Sequence, residues 1–170
     1  MEANPKQTDN APIPFDAESL FRAYGDMVYR LALVRTRSVA DAEDVLQEVF
    51  LRCLKRRPPF ETEAHQRAWF LTVTINCSKS LLGSAFRRHT VSEEAAMGMG
   101  MEDSYRDDTV LQAVMELPEQ YRTCIHLFYY ESYSVKEIAN LLHRNESTIK
   151  SWLHRARAAL RESLGGTTDV

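Results

Sequence analysis

The chain is poor in cysteine, with three among 170 residues, at Cys53, Cys77 and Cys124. An odd count, wide spacing and no Cys-x-x-Cys pair argue against a disulfide frame or a zinc site; they fit free thiols in a reducing cytoplasm. His65, His89, His126, His143 and His154 share no ligand spacing with them, so no metal and no cofactor is expected. No run is long and apolar enough to span a membrane. Residues 1–14, with Pro5, Pro12 and Pro14 and no apolar core, read as a flexible tail rather than a signal peptide or anchor. No stretch alternates with period two, so strands are not expected, and there is no internal repeat. No constellation of nucleophile, base and orienting group is visible, which points away from an enzyme. A general basic excess is missing too: net charge is −3 and the isoelectric point about 6.0. Taken as an average, that speaks against nucleic acid.

The average hides segregation. Ser134 to Leu164 reads as a short helix, a tight turn and a longer helix. Ser134 and Glu137 have capping-box spacing, each side chain able to satisfy a backbone N–H at the helix start. Ile138, Ala139, Leu141 and Leu142 make the inner side of the short helix, His143-Arg144-Asn145 the turn, and Asn145 an N-cap for the second helix. There Ile149, Leu153, Ala156, Leu160 and Leu164 form one apolar stripe, while Ser147, Lys150, Ser151, His154, Arg155, Arg157 and Arg161 occupy the other side. A plain helical hairpin with a solvated basic face is the bland reading. A short capped turn, a small Ala139 at the approach of the two helices, and hydroxyls among the cations favour a DNA-binding helix-turn-helix.

Upstream the periodicity is helical throughout. Asp16 caps a helix carrying Leu20, Phe21, Tyr24, Met27, Val28 and Leu31, expected to run to about Arg35. Ser38 caps the next, with Asp41 in the reciprocal position and Ala42, Val45, Leu46, Val49, Cys53 and Leu54 as its packing stripe. Asp41, Asp44 and Glu48 line another face beside Gln47, and Arg52, Lys55, Arg56 and Arg57 gather at the end. Acids first and bases last suits the helix dipole. That logic does not require Asp44, Gln47 and Glu48, so a protein-docking ridge is the competing reading. After Pro58-Pro59, a long helix from Arg67 to Arg88 has Trp69, Phe70, Val73, Cys77 and Leu81 on one stripe. Leu71, Thr72, Ile75, Asn76 and Lys79 lie on another. Aromatic and cationic groups near a polar Asn can hold unstacked bases, although Trp69 reads better as core. Residues 89–107 lose all apolar period and read as a linker with Gly98 and Gly100. Beyond it, Asp107 or Asp108 caps a helix with Val110, Leu111, Val114 and Met115 inward. Pro118 opens another, which presents Tyr121, Ile125, Phe128 and Tyr129 for packing.

Three runs together, DAEDVLQEVFLRCL (41–54), RAWFLTVTINCSKSLL (67–82) and LPEQYRTCIHLFYYESYSVKEIANLLHRNESTIKSWLHRARAAL (117–160), resemble the extracytoplasmic-function group of bacterial sigma-70 sigma factors. The likeness spans nearly everything from Phe15 to Leu164. It implies an all-α chain of two small helical domains: a region 2-like domain over 15–88, a linker over 89–107, a region 4-like helix-turn-helix domain over 108–165, and a tail over 166–170. It implies a factor that directs core RNA polymerase to promoters and helps melt them. Asp41, Asp44, Gln47 and Glu48 match the helix that docks on the clamp helices of the polymerase largest subunit. Asn76 and Lys79 match positions in or beside the −10 element reader, with Arg87 and Arg88 toward nearby phosphates. Ser147, Thr148, Lys150, Ser151, Arg155 and Arg157 match the helix reading the −35 element, Lys150 and Arg155 being best suited to guanine edges or phosphates. A cognate anti-sigma factor and a cytoplasmic location are implied as well. Trp152 stands where the family usually has Arg, His143 where a small residue or Gly is common, and Leu71 and Ile75 where relatives are often polar or basic. The alternative is a stand-alone helix-turn-helix regulator, which would have no use for the acidic ridge or the 67–88 helix.

Overall fold

The computed structural model describes residues 16–56, 59–88 and 108–165. They form seven α-helices and, among the described residues, no strand: α1 (Ala17–Thr36), α2 (Val39–Lys55), α3 (Glu63–Arg88), α4 (Asp108–Glu116), α5 (Glu119–Ile125), α6 (Val135–Leu142) and α7 (Glu146–Ser163). The 89–107 linker and both expected tails lie outside the described residues. No described helix is long and apolar enough to cross a membrane. Cys53, Cys77 and Cys124 are buried free thiols; burial raises all three, Cys124 to about 12. Among the described residues, no group of His, Cys, Asp or Glu converges as a metal site would require.

α1, α2 and α3 pack around Leu20, Val28, Ala32, Val45, Val49, Cys53, Phe70 and Cys77. Asp16 caps α1 by accepting the N–H groups of Glu18 and Ser19. The α1–α2 connection is tight because Arg37 takes the left-handed conformation (φ 58°) and returns its N–H to the Leu33 carbonyl. Ser38 caps α2 through the Asp41 N–H; its own N–H turns to the Thr36 hydroxyl instead of to Asp41. Trp69 belongs to the core, set edge-on to Phe70 at 5.1 Å and to Phe60 at 5.6 Å. Leu54 does not: it is 52% exposed. The inward stripe of α2 ends at Cys53, and one further residue rotates Leu54 about 100° away.

The second group, α4 to α7, buries Val114, Leu117, Cys124, Ile125, Ile138, Ile149, Leu153 and Ala156. Pro118 stands at the N-cap of α5, just ahead of the first-turn position. α5 then runs into a π-helical turn, His126–Tyr130, where Glu131 donates its N–H to the His126 carbonyl. The wider turn shifts the helical phase. His126 and Leu127 therefore point inward and Tyr129 is 53% exposed, contrary to the regular stripe that placed Tyr129 inside.

The two groups share a core. Leu31, Leu71 and Ile75 of the first are buried in the same apolar cluster as the helices of the second. Two arginines knit the seam. Arg122 donates to the carbonyls of Val34 (2.8 Å), Leu117 and Arg35 (3.2 Å), capping the end of α1 from within α5. Burial and the charges of Arg37 and Arg35 lower it to about 10, so it stays protonated at neutral pH. Arg35, 3% exposed, reaches back to the Thr123 hydroxyl (2.9 Å) and the Glu119 carboxylate (2.6 Å). At the far side Arg67 joins the Glu131 carboxylate and carbonyl, both at 2.8 Å.

Candidate nucleic-acid and protein interfaces

α6 and α7 form the helix-turn-helix. The Ser134–Glu137 capping box is complete in both directions. His143 ends α6 in the left-handed conformation (φ 53°), and Arg144 donates its N–H to the Ala139 carbonyl. This explains why a small residue suits position 143: a Cβ is crowded there. Asn145 occupies the N-cap of α7, but its side chain makes no capping hydrogen bond. With Ile149, Leu153 and Ala156 buried, α7 presents Ser147, Lys150, Ser151, His154 and Arg155 to solvent and holds Thr148 at the edge. Among the described residues, no ion pair or hydrogen bond engages Lys150 or Arg155. Arg157 is different: its Nε donates to the Tyr129 hydroxyl at 2.7 Å, and its guanidinium lies over the Phe128 and Tyr129 rings. The π turn thus claims Arg157, while exposed His154 sits among the presented groups. The apolar stripe also ends earlier than its spacing suggests, since Leu164 is exposed.

On α2, Asp44, Gln47 and Glu48 are exposed and Asp41 is half-buried. Glu48 holds Arg52 at 2.7 Å, an exposed i,i+4 pair that screens part of the acidic charge. Asp44 and Glu48 edge a cavity of about 360 Å³ between α2 and α3, with Arg52, Cys77 and Leu81 on its walls. Sequence reasoning missed the apolar part of this face. Leu51 and Leu54 are 50% and 52% exposed and continue the row Asp44–Gln47–Leu51–Leu54 at steps of three and four. That spacing is the seam pattern by which one helix lies along another. The signal was present in the residues; periodicity alone does not say which of two apolar stripes is covered.

On α3, Asn76 and Lys79 are exposed. They stand on the rim of a cleft of about 180 Å³ whose opposite wall is built by Leu141, Leu142, His143, Arg144 and Trp152 of the helix-turn-helix. Arg87 and Arg88 close α3, but their side chains lie outside the described residues. Four residues meet here: Leu71 and Ile75 under the seam, His143 and Trp152 beside it.

A two-part helical chain with an acidic ridge at one end and a helix-turn-helix at the other defines a class that the comparisons make specific. Residues 20–88 match Sigma-70 region 2 and residues 107–160 match Sigma-70, region 4. The ECF RNA polymerase sigma factor SigL of Mycobacterium tuberculosis is 32% identical over 155 residues, covering 86% of this chain and 87% of that protein. RNA polymerase sigma factor SigV of Bacillus subtilis is 28% identical over 138 residues, covering 80% of this chain and 83% of SigV. The sigma factor RpoE of Bartonella quintana, solved with the anti-sigma factor NepR, has a TM-score of 0.72 over 89% of this chain and 98% of its own, at 20% identity. That likeness is one of fold. The chain belongs to the sigma-70 family, as an extracytoplasmic-function RNA polymerase sigma factor.

Proposed function

We propose that this sigma factor docks on the clamp helices of the core polymerase largest subunit through α2, captures the −10 element with α3 and reads the −35 element with α7. The observation that carries the reading is the pairing of two unlike exposed faces on one chain: the Asp44–Gln47–Glu48 ridge with Leu51 and Leu54, and the cationic Lys150–Arg155 face. Half-exposed leucines flanked by acids suit a helical partner with basic flanks, since the apolar rows supply affinity and the charges set orientation. Lys150, Ser151 and Arg155 suit base edges and phosphates. Arg157, held by Tyr129, is the weakest of the α7 set. Asn76 and Lys79 are suited to hold an unstacked base and its phosphate, and capturing that base lowers the cost of opening the duplex. No bond chemistry is required of the factor, so it acts as a binding protein rather than an enzyme. An anti-sigma factor that covers these same faces, in the cytoplasm, fits the reading.

Run-off transcription with core polymerase on a genomic promoter library tests it. Discrete transcripts are expected only when the protein is added. The variant Asp44→Ala/Leu51→Ala/Leu54→Ala should weaken core binding at least about tenfold (about 1.4 kcal/mol) with its helix content intact. Asn76→Ala should bind the same promoters yet lose permanganate-reactive thymines. Core binding unchanged in the α2 variant would remove the docking assignment.

A further inference from the structure

We propose that the cleft between α3 and the helix-turn-helix is a binding site for a small phosphate-bearing aromatic ligand, of which a nucleoside monophosphate is the simplest member. The phosphate sits between Lys79 and Arg144, and the ring lies on Trp152. The site does not depend on the assignment of α3 to the −10 element, because Arg35, Arg144 and Trp152 belong to neither the polymerase nor the DNA set.

The charge of the wall carries the inference. Lys79 enters from α3 and Arg144 from the turn between α6 and α7, and both are exposed. Neither has an acidic partner among the described residues, and the one carboxylate in the wall, Glu119, is taken by Arg35 at 2.6 Å. Arg35 adds a donor beneath the surface. It is 3% exposed, its two terminal nitrogens go to Thr123 and Glu119, and its Nε has no hydrogen-bond partner among the described residues. Three cations against one acid leave the wall positive before His143 is counted. A cleft lined by one sign of charge concentrates the opposite ion, and a bound dianion relieves the repulsion within the wall.

Shape and chemistry narrow the ligand. The volume of about 180 Å³ is the share of about six waters in the liquid. That admits a phosphate group and the edge of a ring, and falls below the roughly 300 Å³ at which a pocket encloses a drug-sized molecule. The ligand is therefore gripped at its anionic end, with the remainder in solvent. Trp152 is half-buried, and the Arg144 guanidinium lies 6.0 Å from its ring. An indole beside an arginine offers a stacking face next to a phosphate donor. Exposed Asn76 and Gln120 supply neutral donors and acceptors for a linking sugar. A phosphate suits the pair of cations better than a carboxylate does, since it presents a third oxygen.

The test uses the full chain and three probes: adenosine monophosphate, inorganic phosphate and adenosine. Calorimetric titration at physiological ionic strength reads binding, and thermal unfolding reads the stabilisation that a ligand of the folded form must give. The monophosphate should saturate with a Kd below about 1 mM and raise Tm. Inorganic phosphate should bind at least about tenfold more weakly, and adenosine should not saturate. Arg144→Ala leaves the end of α6 intact, because the bond to the Ala139 carbonyl uses the backbone N–H. Its circular dichroism should be unchanged while monophosphate affinity falls at least about tenfold. Trp152→Leu should bring the monophosphate down to the level of inorganic phosphate. Failure of the monophosphate to saturate by about 10 mM, equal binding of sulfate, or an affinity that Arg144→Ala leaves unchanged overturns the proposal. DNA is the other source of phosphate. A single-stranded oligonucleotide indifferent to Arg144→Ala supports the small-ligand site; one whose affinity falls as steeply as that of the monophosphate assigns the cleft to DNA and overturns it.

Discussion

Single residues at the seam behave in ways their type would not suggest. Glu131 is buried, which raises its pKa, but hydrogen bonds from His126 (3.2 Å) and Arg67 (2.8 Å) outweigh burial and leave it below the ordinary value of 4.5. Arg67 also lies over the Tyr133 ring, and Glu137 stands nearby. A depressed carboxylate contributes stability that is complete above the ordinary glutamate range and is lost as pH falls through its folded-state value. Acid should therefore loosen the seam at that corner, with little change between pH 6 and 8 from this group. Denaturant titrations from pH 6 down to 3 should show the loss, and Glu131→Gln should flatten it. An unchanged acid limb in Glu131→Gln would mean that other carboxylates dominate. Arg122 illustrates the same point without titrating: it serves as a hydrogen-bond donor to backbone carbonyls, not as a surface cation.

At the scale of elements, local rules did most of the work where the chain is regular. The Ser134–Glu137 box, the Asp16 cap, and the buried Leu20, Val28 and Leu31 of α1 and Ile149, Leu153 and Ala156 of α7 follow from residue spacing, whereas Phe21 and Leu164 on the same stripes are exposed. Spacing failed where the backbone departs from 3.6 residues per turn or where two stripes compete. The π turn at His126–Tyr130 leaves Tyr129 exposed where spacing placed it inside, while Ile125 and Phe128 pack as expected. Leu54, placed on the packing stripe by its spacing, is exposed, and Leu71, on the second stripe of α3, is fully buried by the neighbouring helices. The capping box supports a definite magnitude. Ser134→Ala removes the acceptor of the Glu137 N–H at the start of α6 and should cost about 1 kcal/mol. The effect should appear as a lower unfolding midpoint, with the denaturant slope unchanged. A loss below about 0.3 kcal/mol would mean that water replaces the cap at this exposed site.

For the whole molecule, the shared apolar cluster has a consequence for cooperativity. Two helical groups linked only by chain would unfold as two small transitions; groups that bury Leu31, Leu71 and Ile75 in common should unfold together. Calorimetry should give one transition whose van't Hoff and calorimetric enthalpies agree, and Arg67→Glu/Glu119→Lys should separate it into two. Two transitions already in the wild-type protein would show that the seam is too weak to couple the halves.

What the residues determined by themselves is what local physics can specify: helical periods, caps, a segregated basic helix, an acidic ridge, and the ordered motifs that resemble sigma regions 2 and 4. The residues proposed for polymerase docking and promoter reading could be grouped by face, because side chains at helical spacing share one whatever surrounds them. The tertiary structure alone decided which apolar stripes are covered. It left Leu51 and Leu54 open beside the ridge, drew Arg157 to Tyr129, and folded Leu71, Ile75 and Trp152 into the contact between the halves. Burial depends on what arrives from elsewhere in the chain, and that partner lies tens of residues away, beyond the reach of any local period.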